Sequence, residues 1–151
     1  MIFGQENTSE WNSEIEEINF YVEQSDTLSK SFSKGRIEGI IDNNGLFTKN
    51  GGWTAIYWYC ENPNLPLKII YSEGNKKTQR TLIFYYQNNE LIYADLTVKP
   101  NNENKNKIKS VEKKFYFKNG ELITTNGTET DKYGIEYLLP TEKTIRQLIT
   151  E

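Results

Sequence analysis

Read as apolar and polar positions, the chain changes period near its beginning and again near its end. From Ser9 to about Ser31, Trp11, Ile15, Ile18 and Val22 recur at i, i+4, i+7 and i+11, one stripe of a 3.6-residue period. The spacing predicts an amphipathic helix. Ser9 is placed to cap it, and Glu10, Glu14, Glu16 and Glu17 lie toward the positive end of its dipole. Gly35 marks the latest end of that helix. From Ile37 the period is two. Ile37–Ile41, Leu46-Phe47, Trp53–Cys60, Leu65–Tyr71, Thr81–Gln87, Glu90–Lys99, Ile108–Lys118 and Glu121–Thr125 read as strands. Asp42-Asn43-Asn44-Gly45, Glu61–Asn64 and Gly74-Asn75 read as turns, and Pro100–Asn106 as a polar loop. Thr141, just after Pro140, caps a short helix over Glu142–Thr150. The expected class is α+β: an N-terminal helix packed on an antiparallel β-meander of about six to eight strands, then a short C-terminal helix.

Two stretches repeat each other. Phe84–Tyr93 reads FYYQNNELIY and Phe115–Thr124 reads FYFKNGELIT. Asn88-Asn89 and Asn119-Gly120 fit two-residue hairpin loops, because Asn and Gly accept the positive φ of a type I′ turn. An unbroken ladder then sets Tyr86 opposite Leu91, Tyr85 opposite Ile92 and Phe84 opposite Tyr93. In the second copy it sets Lys118 opposite Glu121, Phe117 opposite Leu122 and Tyr116 opposite Ile123. Tyr57-Trp58-Tyr59 with Leu67–Ile70 is a weaker third version on a longer turn. The repeat is a folding unit, and its pairs are the aromatic–aliphatic contacts that stabilise sheets.

The same register raises a question of cover. One face of Thr81–Val98 carries Ile83, Tyr85, Ile92, Ala94, Leu96 and Val98; the other carries Leu82, Phe84, Tyr86, Leu91 and Tyr93. Trp53–Cys60 is apolar on both sides too. A sheet with one wet face alternates apolar and polar residues, and one helix covers one face. Either the sheet curls, or the C-terminal helix lies across the second side through Ile145 and Leu148, or an aromatic face is left partly open. In the last case Phe84, Tyr86, Leu91, Tyr93 and Asp95 form the candidate binding surface, where a protein partner or a second subunit docks.

Composition narrows the classes. With 151 residues, 26% charged and 13% aromatic, the chain is sized and composed for one folded domain over residues 9–151. Its net charge of −3 and the broken lysine cluster Lys105–Lys109 argue against nucleic acid as a partner. No window approaches a membrane span. Ile2-Phe3-Gly4-Gln5 reads as the tail of a signal peptide, so residues 1–8 are expected to be its remnant or a disordered start, and the protein to be exported to the periplasm or beyond.

At Gly51-Gly52-Trp53, Tyr57-Trp58-Tyr59, Leu67-Lys68-Ile69 and the two hairpin copies, the chain resembles small exported Bacteroidetes proteins with a repeated Y-Y-x-N-G-x-L hairpin. It is similar in outline to the Y-x-N-G hairpins of MORN-type and antitoxin-type repeats. The resemblance spans Gly51–Thr125 and implies β-hairpin architecture and export. It brings no catalytic residue.

Candidate chemistry is sparse. The chain has no histidine, which removes Ser-His-Asp and Cys-His nucleophiles and histidine zinc sites. Cys60 has no second cysteine and, alternating with Trp58, is expected to be a buried, inert thiol. Asp95, Glu112, Glu129 and Glu136 are the carboxylates that could pair for acid–base work. Asp95 is expected on the face of Leu91 and Tyr93. Asp42–Gly45 lacks the ligand spacing of an EF-hand loop, and Gly51-Gly52 precede a strand, unlike a phosphate loop. These readings point to a non-catalytic binding module without metal or cofactor, acting on a protein partner as an inhibitor, immunity or envelope-scaffold protein. The alternative is a carrier of a small apolar ligand, or a cystatin- or NTF2-like cone with a pocket between helix and curved sheet.

Overall fold

The computed structural model describes residues 2–42, 49–75, 77–101, 109–130 and 132–150, and their side chains except at 2–11, 40–42 and 49–50. Most of the expected turn at Asp42–Gly45, the expected strand Leu46-Phe47, most of the Pro100–Asn106 loop and the side chain of Trp11 lie outside these residues. Helix α1 spans Ile2–Leu28 and is followed by a 3₁₀ turn, Ser29–Ser31. Seven strands follow: β1 Ser33–Asp42, β2 Lys49–Tyr59, β3 Lys68–Gly74, β4 Thr78–Gln87, β5 Glu90–Pro100, β6 Val111–Lys118 and β7 Glu121–Gly127. Helix α2, Ile135–Thr150, ends the order. All neighbours pair antiparallel in the order β1 to β7, a meander in one sheet. The α+β architecture is as the periodicity predicts.

Both helices reach further than their signals suggest. Ser9 lies inside α1, which is continuous from Ile2, so the backbone shows no break at residue 8. Extending a formed helix adds one hydrogen bond per residue fixed, whereas nucleation is the costly step, so a capping residue need not stop it. Likewise α2 begins ahead of Pro140. The N–H groups of Tyr137 and Leu138 both donate to Gly134 O, at 3.0 and 3.1 Å. Pro140 removes one bond, to the carbonyl of the exposed Glu136, where water can serve. Thr141 is no cap; its hydroxyl donates to Tyr137 O at 2.8 Å.

The two repeat copies share a feature that alternation misses. Tyr86 pairs with Leu91 as expected, but Tyr85 pairs with Tyr93 and Phe84 with Ala94, because the register shifts between Tyr85 and Tyr86. In the second hairpin Phe117 pairs with Leu122, yet Tyr116 pairs with Thr124, with a shift at the same place. Ile92 and Ile123 are the extra residues of two equivalent β-bulges. An extra residue reverses every later assignment of faces. Hence Ala94, Leu96 and Val98 join Phe84 on one side, and Tyr93 joins Tyr85 on the other. Asn88, Asn89 and Asn119 have φ of 53°, 65° and 54°, and Gly120 81°, as the turns require.

Each face has its own helix. Leu82, Phe84, Tyr86, Leu96, Phe115 and Phe117 pack with Leu138, Ile145 and Ile149 of α2 in the larger core. On the opposite face Ile18 packs with Tyr85, Tyr93 and Tyr116, flanked by Ile15, Val22, Ile92 and Ile123. The helical stripe is therefore correct from Ile15 to Val22, and both bulge isoleucines face α1.

Candidate functional site

The five residues expected to form a binding surface do not share one. Phe84 and Tyr86 are fully buried beneath α2, with Leu91 partly buried beside them. Tyr93 is buried on the other side under α1, and Asp95, two residues on, lies on that same side. The bulge at Ile92 separates the two groups. Of the three ways to cover the sheet, the C-terminal helix is the one observed, through Ile145; Leu148 is 39% exposed.

The interior tyrosines join helix to sheet through carboxylates. Tyr86 Oη donates to Glu142 Oε2 at 2.7 Å, while the Arg146 guanidinium lies 4.8 Å over the same ring and its Nε lies 3.7 Å from Glu142. Arg146 also donates to Asn89 Oδ1 in the β4–β5 turn. Burial pushes the Glu142 carboxyl up, against the opposing pull of Tyr86 and Arg146, and it holds the Tyr86 phenol well above its usual range. Tyr71 and Tyr137 both donate to Glu73, each at 2.7 Å. Arg80 Nε sits 3.2 Å from that carboxylate as a charge contact without an aligned hydrogen bond. On the α1 side, Asp26 accepts from Tyr85 at 2.8 Å and from Lys68 at 2.7 Å. Tyr116 donates to Asn19 at 3.0 Å, and Tyr21 to the carbonyl of Tyr86 at 2.6 Å. These links run from β6 across to β3, so α1 crosses the strands near their hairpin ends. Burial first, then the neighbouring carboxylates, raises Tyr71, Tyr85 and Tyr137.

Two openings of the surface bear on the candidate residues. Between α2 and strands β2 and β3 lies a groove of about 320 Å³, lined by Trp53, Tyr71, Pro140, Thr141, Thr144, Ile145 and Leu148. The Trp53 and Tyr71 rings are 6.1 Å apart and tilted by 38°, forming its aromatic wall. Its size is at the small end of ligand and anchor pockets. The sequence holds each of these residues, but their meeting depends on where α2 crosses the sheet, which no local pattern reports.

The second opening is a shallow polar depression on the α1 face, lined by Asp95, Thr97, Glu112, Lys113, Lys114, Asn126 and Gly127. Asp95 pairs directly with Lys114, and Thr97 with Glu112. Two of the four candidate carboxylates are thus brought together, while Glu129 and Glu136 are exposed elsewhere. Burial raises Asp95; Lys114 pulls it down and Glu112 pushes it up. Among the described residues no group of three or more histidine, cysteine or carboxylate side chains could hold a metal ion. Cys60 is exposed, contrary to expectation, because β2 ends at Tyr59 and the alternation stops before it reaches the thiol. No helix among the described residues is long and apolar enough to cross a membrane. Comparison with protein-family models, with curated proteins and with solved structures finds no match.

Proposed function

We propose that this protein is a non-catalytic binding module that acts through a protein partner, and that the groove between α2 and strands β2–β3 receives an apolar side chain of that partner. The observation that carries this reading is the groove itself. The carboxylates Glu73, Glu142 and Asp26 each accept a tyrosine hydroxyl beside a cation and tie helix to sheet, whereas Trp53, Ile145 and Leu148, with the ring of Tyr71, wall an opening that no described residue fills. The absence of histidine supports the non-catalytic part of the reading. Exposed Leu148 on α2 leaves apolar surface at the rim of the groove, as interfaces do.

A library of displayed peptides selected on the folded protein tests this. Peptides with an apolar anchor are expected, and Leu148→Arg, at an exposed position, is expected to abolish their binding while leaving the circular dichroism spectrum unchanged. Binding that survives Leu148→Arg rejects the groove. A small apolar molecule retained through purification, seen by native mass spectrometry and lost in the same variant, favours the ligand-carrier reading instead.

A further inference from the structure

Strand β1 is an edge: it pairs with β2 on one side, in a sheet that runs from β1 to β7 without closing. An edge leaves a row of N–H and C=O groups open to another strand. On the α1 face β1 presents Lys34, Arg36 and Glu38, all exposed. On the α2 face it presents Gly35, Ile37 and Gly39. Both glycines are required by close approach, since they pair with Tyr57 and Trp53 and a Cβ on either would collide with the partner's ring. Ile37, Tyr57 and Trp53 are only partly buried at the rim of the larger core. The edge is thus apolar on one face and ordered in charge on the other.

We propose that β1 pairs antiparallel with β1 of a second copy of this chain, about a two-fold axis at Ile37. That axis sets Arg36 opposite Glu38 of the second copy and Glu38 opposite its Arg36, two cross-strand ion pairs from one symmetric contact. Neighbouring registers each bring like charges together. Centred on Arg36, the pairing sets Arg36 against itself even though Lys34 then faces Glu38; centred on Glu38, it sets Glu38 against itself; centred on Gly35, it sets Lys34 against Arg36. On the α2 face the Ile37 axis sets Gly35 opposite Gly39 and Ile37 opposite Ile37. The missing side chains leave room for the Tyr57 and Trp53 rings of both copies to close over the joint. The other edge, β7, offers no equivalent, because Glu121–Gly127 contains no cation. A two-fold β1 contact closes on itself, so it ends at a dimer. The pairing shares Trp53 with the groove, but its charges lie on the opposite face of β1, so the charge-reversal variants read the edge alone.

Sedimentation velocity across a concentration series tests it. The wild-type chain is expected to approach twice the mass of one copy. R36E and E38R each set like charges at both contacts, so each is expected to weaken association by on the order of tenfold or more. An equimolar mixture of R36E with E38R sets opposite charges across both contacts again and is expected to recover the dimer. Both side chains are exposed, at 61% and 68%, and pair within the chain with each other; unchanged circular dichroism checks that the variants fold. A single-chain mass at every concentration, a dimer indifferent to R36E, or a mixture that fails to recover overturns the proposal.

Discussion

The Tyr86 hydroxyl and the Glu142 carboxylate meet at 2.7 Å in the interior, one from the hairpin end of the central strand β4 and one from the middle of α2. Removing the hydroxyl leaves a buried carboxylate short of a donor. Tyr86→Phe is expected to lower stability by about 1.5–3 kcal/mol, the range for hydrogen bonds to charged groups. The midpoint of urea unfolding measures it; a loss under half a kcal/mol would show that the link is dispensable.

Ile18 is the most buried described residue of the α1 stripe and touches the Tyr85, Tyr93 and Tyr116 cluster. Ile18→Ala is expected to cost about 2–5 kcal/mol, through lost burial and the cavity left behind. Thermal unfolding followed at a tyrosine band reports it. An unchanged midpoint would mean that α1 adds no stability to the sheet.

Asp95 gives a dependence on pH with a definite sign. Its folded pKa is raised above the ordinary 3.8, chiefly by burial. The folded state therefore binds the proton more tightly than the unfolded state does. The stability this contributes is fully present below pH 3.8 and is lost as pH rises through the raised value. Asp95→Asn is expected to be more stable than the parent at pH 7, with the advantage shrinking as pH falls toward 3.8. Denaturant midpoints at a series of pH values decide it. A constant difference, or one that grows in acid, contradicts the assignment.

The bulge can be tested by deletion. Removing Ile92 leaves Leu91 opposite Tyr86 and Tyr93 opposite Tyr85 with no residue between, so Tyr93 still faces α1 and Ala94, Leu96 and Val98 still face α2. The shortened chain is expected to fold with the same faces, seen as dispersed amide resonances, and to lose only the contact that Ile92 makes with the α1 cluster. Collapse of that dispersion would show that the extra residue is itself required for the sheet.

How far the sequence could be read follows from what alternation records. The turns at Asn88-Asn89 and Asn119-Gly120 were legible because positive φ selects Asn and Gly, and the pairs beside them followed from loop length. The strand count and the stripe through Ile15, Ile18 and Val22 were legible for similar reasons. The bulges were not, since Ile92 and Ile123 look like ordinary apolar strand residues, and one unpaired residue is enough to misplace Tyr93 and Asp95. The alternation that would bury Cys60 ends with β2 at Tyr59, one residue before the thiol. The site suffered more than the fold: the Trp53–Leu148 groove joins residues far apart in sequence, and packing alone decides it.

Covering Phe84, Phe115 and Phe117 falls to a helix that leaves the ribosome after all seven strands. The β4–β5 and β6–β7 hairpins can form by local pairing while their aromatic side still faces water. At roughly 5–20 residues per second, the 16 residues of α2 take about 1–3 s to emerge. For that interval the nascent sheet carries a sticky face, the condition in which chains aggregate or engage chaperones. A chain truncated within Ile135–Thr150 lacks the lid over these aromatic rings and leaves its core open.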